Sequence, residues 1–219
     1  MKWTIFFDLD DTLISTSERH YRIYKDILRD YGIQNILSKE DFWNYKRMGR
    51  KTVELLAKNS SEEFIQKFMD EWLKRIENKN YLKYDNLLSE SLIILSGLKN
   101  KADLMLVTLR NNRENLFWEL NNLGLVNYFK EILVDSPVKL KNKMTLVKDY
   151  TEKQLKENKF IIVGDTEADI LTGKELGMLT VAVAYGIRSK EFLEKLKPDF
   201  CLNSLSEFLK ILKKVGDDL

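Results

Sequence analysis

The sequence predicts an α/β fold, a three-layer α/β/α core on a parallel sheet that carries an inserted all-helical domain. Three observations predict it. Short, continuously apolar segments alternate with helical patterns through the second half of the chain, as expected of strands buried on both faces. A further segment of the same kind opens the chain. Between it and the next strand, residues 15–88 read as helices only. That stretch is far longer than the roughly 2–6 residues usual for a loop of this kind, so it is expected to be a small domain of its own.

The elements follow in order. Residues 2–7 are apolar, aromatic and β-branched and run straight into an acidic turn, which reads as a strand. Residues 18–31 place Tyr21, Tyr24, Ile27, Leu28 and Tyr31 at helical spacing, and Gly32 stops them. Residues 51–58 form a short helical pattern, and Ser60-Ser61-Glu62-Glu63 is a capping box before Phe64, Phe68 and Trp72. Strands are then expected at residues 104–107, 132–134, 160–163 and 179–183, with a weak one near Phe200. Helices are expected at 111–123, 143–150 and 167–176, and a last one capped by Ser204 and Glu207.

Composition narrows the partners. Thirty-six basic residues stand against thirty-four acidic ones, for a net charge of +2. The charges are interspersed, as at residues 153–159, and form solvated helix faces and no basic stripe. Neither a nucleic acid nor a membrane surface is expected as a partner. The single cysteine, Cys201, precludes an intrachain disulfide and suits a reducing compartment. The apolar run at residues 3–7 is short and ends in Asp8, Asp10 and Asp11, unlike a signal peptide, so a cytoplasmic location is expected.

In an open parallel sheet, ligands bind at the carboxyl ends of the strands. The first strand ends in Asp8-Leu9-Asp10-Asp11-Thr12, where a turn can bring the Asp8 and Asp10 carboxylates round one centre. Carboxylates that close repel unless a cation or a proton sits between them, and hard oxygens suit Mg²⁺. The second strand ends in Thr108 just before a helix start, a place suited to a phosphate oxygen. Lys143 opens the helix after the third strand, with Lys139 and Lys141 nearby. The fourth strand ends in Gly164-Asp165-Thr166-Glu167-Ala168-Asp169, which sets Asp165 and Asp169 four apart at a helix start. Each segment alone has an ordinary explanation: a turn, a strand-end threonine, a solvated lysine, a helix cap. All four lie on one edge of one sheet, and coincidence accounts for that poorly.

The order Asp8-x-Asp10-x-Thr12, Thr108, Lys143, Gly164-Asp165 and Asp169 resembles the haloacid dehalogenase superfamily. The likeness covers the whole chain. The insertion resembles the helical cap of the phosphoglycolate-phosphatase and β-phosphoglucomutase-like branch, and residues 183–189 and 197–200 resemble that branch's C-terminal segments. It implies a Rossmann-like core of residues 1–14 and 89–219 with a cap of residues 15–88. It implies Asp8 as nucleophile and Asp10 as general acid and base. Mg²⁺ would be held by Asp8, the backbone carbonyl of Asp10 and Asp165, with Asp169 orienting or reaching through water. Thr108 and Lys143 would bind phosphoryl oxygens, with Lys141 as second choice for the lysine. An acid at Asp10 argues for C–O–P chemistry over dehalogenation.

The cap is expected to select the substrate. Met48-Gly49-Arg50-Lys51 lies in a turn, and Arg50 with Lys51 could meet a carboxylate or a second phosphate, or form an exposed helix start. His20, the only histidine, lies ten residues past Asp10; some phosphomutase relatives have a histidine in these surroundings, though packing is the simpler role. The leading expectation is a Mg²⁺-dependent phosphatase of a small phosphorylated metabolite, with phosphoglycolate favoured by the resemblance. A sugar phosphomutase using the same aspartyl-phosphate is the alternative. A non-catalytic binding protein on the same fold is the third reading, against which the intact acidic residues count.

Overall fold

A computed structural model describes residues 3–57, 60–136, 142–154 and 158–215. Strand β1 (Trp3–Phe7) is followed by a two-residue strand β2 (Ile14–Ser15) and by helices α1 (Ser17–Asp30), α2 (Lys39–Arg47), α3 (Thr52–Ala57), α4 (Glu62–Ile76) and α5 (Lys79–Leu82). The chain returns through β3 (Asn86–Leu87) and α6 (Ser91–Leu98) to β4 (Ala102–Leu109) and α7 (Arg113–Asn122). Then come β5 (Glu131–Asp135), α8 (Lys143–Thr151), β6 (Lys159–Gly164), α9 (Glu167–Glu175), β7 (Leu179–Val183), α10 (Lys190–Glu194), β8 (Phe200–Leu202) and α11 (Phe208–Val215).

Six strands form one sheet in the order β5-β4-β1-β6-β7-β8, all parallel. This is the Rossmann-like α/β arrangement expected from the sequence. Side-chain alternation divides the strands between two faces. Ile5 and Phe7 point to the side covered by Leu95, Leu116, Leu120 and Phe208, from α6, α7 and α11. Phe6, with Met105 and Ile162, points to the side covered by Val147 and Tyr150 of α8. Ile170 of α9 and Leu193 pack near Ala182 on a separate cluster. With both neighbours in register, β1 is central, so its carboxyl end opens into the middle of the sheet edge.

The helices between β2 and β3 have their own apolar centre of Ile23, Tyr24, Ile27, Leu28, Phe42, Leu56 and Phe68. Two features of this region exceed the sequence reading. Helix α2 is capped by Ser38, whose side chain accepts from Asp41 N at 3.1 Å. Strands β2 and β3 pair antiparallel through Ile14 with Leu87 and Ser15 with Asn86, joining the two crossings between insertion and sheet. Pairs of two residues carry no periodicity, which is why the sequence hides them. Among the described residues, no helix is long and apolar enough to cross a membrane.

Candidate active site

The turn after β1 is built for close approach. Asp8 continues the ladder, its N–H donating to Val163 O at 2.9 Å. Asp11 takes the left-handed conformation, φ 57°, which short polar side chains tolerate better than most. Its buried carboxylate accepts from Thr16 N at 2.8 Å and Thr16 Oγ1 at 2.6 Å, locking the turn to the start of α1.

Across the sheet edge, Asp8, Asp165 and Asp169 each offer an oxygen within 4.8 Å of the others, and all three are buried. Lys143 joins them. Asn142 caps α8 by accepting from Thr145 N at 2.9 Å, which fixes Lys143 as the first helical residue. Its ammonium lies 2.7 Å from Asp8 Oδ1 and 2.6 Å from Asp169 Oδ1. Lys141, the second choice, lies outside the described residues. The other oxygen of Asp169 accepts from Thr166 N at 3.1 Å and Thr166 Oγ1 at 2.6 Å, closing the capping box of α9. Both Asp169 oxygens are therefore engaged by the protein. Asp165 accepts from Ile187 N at 2.6 Å and, more weakly, from Thr12 Oγ1 at 3.5 Å.

Burial pushes the Asp8 carboxyl up to about 7, helped by repulsion from Asp169 and opposed by the Lys143 ammonium. Asp165 is pushed well above the usual carboxylate range, first by burial and then by Asp11, Asp8 and Asp169. Burial works against the Lys143 charge, but the Asp169 and Asp8 carboxylates outweigh it and raise its pKa. Ionising all three carboxylates against one ammonium would leave excess negative charge in a dry site, which is why Asp8 and Asp165 are pushed up. A hard divalent cation on the Asp8 and Asp165 oxygens would neutralise it, so the donor set fits Mg²⁺.

The linkage has a definite sign. A carboxyl raised from 3.8 to about 7 holds a proton in the folded protein that the unfolded chain has lost. Without metal, this group's contribution to stability therefore falls as pH rises through that window. A Mg²⁺ ion on Asp8 would have to displace that proton, so its stabilisation would grow from about pH 5 to about pH 8. Thermal melts with and without Mg²⁺ across that range test this, and an increment independent of pH would contradict it.

Asp10 faces away from this trio. Its carboxylate accepts from Arg110 Nε at 3.0 Å and Arg110 Nη2 at 2.7 Å, and from Arg19 Nη2 at 2.7 Å. Burial alone would raise its pKa, but the Arg110 and Arg19 guanidiniums prevail and hold it below the usual range. Thr108 is buried at the end of β4, one residue before Leu109, which lines a cavity at this sheet edge. Arg50 is not on that cavity.

The cavity has a volume of about 290 Å³ and is lined by Asp8, Asp10, Asp165 and Arg110 from the sheet edge and by His20, Trp72, Leu73 and Ile76 from the insertion. A neighbouring cavity of about 410 Å³ shares His20, Trp72, Leu73, Ile76 and Ile187 and is rimmed by Lys46, Arg50, Lys51 and Arg188. His20 lies between Trp43 and Trp72, with ring centroids at 6.0 and 5.6 Å. Burial keeps it neutral by pushing its pKa well below the ordinary value.

The insertion is tied to the sheet edge at residues that sequence reasoning missed. Glu77, after α4, accepts from Asn111 N at 2.7 Å and Asn112 N at 2.6 Å, a carboxylate at the start of α7. Arg47 of α2 donates to Ala184 O at 2.7 Å and to Gly186 O. A Cβ at Gly186 would overlap the Asp165 side chain and stand 2.6 Å from the Asp11 carbonyl oxygen. Gly186→Ala should therefore displace Asp165 and raise the Mg²⁺ concentration for half-maximal activity by ~10-fold or more, as supporting-residue changes do at metal sites. An unchanged Mg²⁺ titration would show that Asp165 does not serve the metal.

The model of the haloacid dehalogenase-like hydrolase family matches residues 5–183. The chain belongs to that family and is an enzyme of its hydrolase class. Among curated relatives, pyrophosphatase PpaX of Halalkalibacterium halodurans is 27% identical over 218 residues, covering 95% of this chain and 96% of its own. PpaX of Anoxybacillus flavithermus is 26% identical, with coverages of 95% and 96%. Among solved structures, a haloacid dehalogenase-like family hydrolase from Streptococcus pneumoniae superposes with a TM-score of 0.79 at 22% identity, covering 95% of this chain and 97% of its own. The HAD-type protein YfnB of Bacillus subtilis, solved bound to magnesium, has a TM-score of 0.69 at 18% identity and coverages of 96% and 98%.

Proposed function

We propose that the protein is a Mg²⁺-dependent phosphatase that hydrolyses a small phosphorylated metabolite through an aspartyl-phosphate on Asp8. The observation that carries this is the buried Asp8 carboxylate in contact with Lys143 and beside Asp165 at the central strand tip. Asp8 attacks phosphorus as the bond to the leaving oxygen breaks, and Asp10, ionised in the free protein, gives that oxygen a proton it has taken from the incoming phosphate monoanion. Asp10 then takes a proton from water, whose oxygen displaces Asp8 from phosphorus. Asp8, Asp165 and the Asp10 backbone carbonyl would hold Mg²⁺, with Asp169 acting through Lys143 and the turn. The ion supplies the positive charge that lets an anionic nucleophile meet an anionic phosphoryl group. Thr108 and Lys143 are assigned to the phosphoryl oxygens.

Inorganic pyrophosphate is a second reading of the substrate. It is favoured by the relatives' names and by Asp10, which the two arginines hold ionised. Phosphate departs as a weak base and needs less protonation than an alkoxide. Mg²⁺-dependent phosphate release from pyrophosphate, phosphoglycolate, sugar phosphates, nucleotides and p-nitrophenyl phosphate tests both readings. No release from any of them would contradict the proposal.

In this reading residues 15–88 form a cap over the site. The second cavity then takes the non-reacting part of the substrate, with apolar walls and a cationic rim. Lys46 lies 5.5 Å from the Trp72 ring centroid, and burial pushes its pKa down to about 8. Arg50→Ala and Lys51→Ala should lower kcat/KM for the best metabolite by ~10–100-fold, the worth of a charged hydrogen bond. The loss on p-nitrophenyl phosphate should be much smaller. Equal losses on both, or none, would leave these residues as ordinary surface.

A further inference from the structure

The two cavities at the sheet edge meet at His20, Trp72 and Ile76, which line both. The inner one, of about 290 Å³, holds the acids, and the outer one, of about 410 Å³, is lined by none. Apolar side chains wall the outer cavity, with Phe68 and Trp72 stacked at a centroid distance of 5.9 Å and Met69 and Leu73 exposed at the lip. Its charges are all positive, and His20 is held neutral. Arg188 is already engaged, gripping the Glu167 carboxylate at 2.8 and 3.0 Å. Lys46 is different. No carboxylate of the described residues pairs with its ammonium, which lies 5.5 Å from the Trp72 ring centroid and 5.7 Å from that of Phe42.

An ammonium without a counter-ion is costly to keep away from water. Burial, and then the Arg188 charge, push the Lys46 pKa down to about 8, with Asp11 opposing, so the side chain is still mostly charged at neutral pH. The fold nonetheless fixes it in place. Lys46 O accepts from Arg188 Nη1 at 3.2 Å, and Ser189 N donates to Arg47 O at 2.9 Å, which pins the end of α2 to the loop after β7. An anion arriving at Lys46 therefore finds its partner on a backbone that needs no reordering. To reach Lys46 from Asp8, a bound molecule must pass Trp72 and Ile76, and only a carbon body gains from contact with those walls. Pyrophosphate has no such body, and the two carbons of phosphoglycolate cover little of it.

We propose that the substrate is a phosphomonoester of an organic alcohol with an apolar or aromatic body, seated in the outer cavity, and with a second anionic group at its far end that Lys46 meets. This deepens the phosphatase reading above and rests on it. It sets pyrophosphate aside as the substrate and makes Lys46 a specificity-determining residue.

Matched benzyl phosphates test it with Mg²⁺ present: the 4-carboxymethyl and 4-phosphonomethyl acids, the neutral 4-carbamoylmethyl amide and unsubstituted benzyl phosphate, beside ethyl phosphate and pyrophosphate. The methylene insulates the leaving oxygen, so intrinsic reactivity hardly varies across the benzyl series. Burial of the ring should raise kcat/KM for benzyl over ethyl phosphate by ~10-fold or more. At least one acid should exceed the amide by ~10–100-fold, the scale of a charged hydrogen bond, and the better acid identifies the anion as carboxylate or phosphate-like. Lys46→Met should bring that acid-to-amide ratio to within about threefold of one, while Lys46→Arg keeps most of it. If the parent protein prefers pyrophosphate to every ester, treats acids and amide alike, or keeps its ratio in Lys46→Met, this inference is overturned and the phosphatase reading stands. If none of the compounds releases phosphate, the phosphatase reading fails first and this inference fails with it. Should Lys46→Met not fold, Lys46→Gln carries the same comparison.

Discussion

Asp8→Asn is expected to fold and to lose turnover by ~10⁴-fold or more, the scale seen when a covalent nucleophile is removed. The change is nearly isosteric at the end of β1, and the backbone bond from residue 8 to Val163 O does not involve the side chain. An amide is a poor nucleophile and a weaker ligand for a hard cation. It also removes one of two carboxylates that hold the Lys143 ammonium. Because Asp169 still holds that ammonium and burial already pushes the Asp8 carboxyl up to about 7, the thermal transition should move little while activity on every substrate disappears. Residual Mg²⁺-dependent turnover within tenfold of the parent would remove Asp8 from the mechanism.

Lys143→Met is expected to have the next largest effect, lowering kcat/KM by ~10²–10³-fold, as loss of a transition-state charge partner does. The side chain is 6% exposed and bridges Asp8 and Asp169, so the substitution also strands two buried carboxylates. Breaking a buried pair from one side costs about 3–5 kcal/mol, and Mg²⁺ should restore part of it. Kinetics and melts with and without Mg²⁺ measure both effects. Lys141→Ala should be close to neutral. If it were crippling and Lys143→Met harmless, the phosphate lysine would be the wrong one.

The fold was legible because its signals are local: apolar runs of strand length, caps such as Ser61 and Asn142, and stops such as Gly32 and Gly177. The parallel sheet follows from their alternation. For the site, short-range spacing indicated the residues that meet at the β1 and β6 tips, Asp8, Asp165 and Asp169, and helix position indicated Lys143. Spacing could not show that Asp10 turns from that trio toward Arg19 and Arg110. The Asp10–Arg110 contact joins residues a hundred positions apart, through charged types that elsewhere in this chain cover exposed helix faces. The same holds for Glu77 on the α7 start and Arg47 on the loop after β7. Buried charge is set by tertiary packing, and neither period nor composition reports it.

The central claim is that the phosphoryl group passes through Asp8. The most direct measurement is acid quenching during turnover, followed by mass spectrometry of the peptide that contains residue 8. The account predicts one acid-stable, alkali-labile phosphoryl group on Asp8 of the parent protein and none on Asp8→Asn. A fully active enzyme that never carries phosphate at Asp8, or that carries it on another residue, would contradict it.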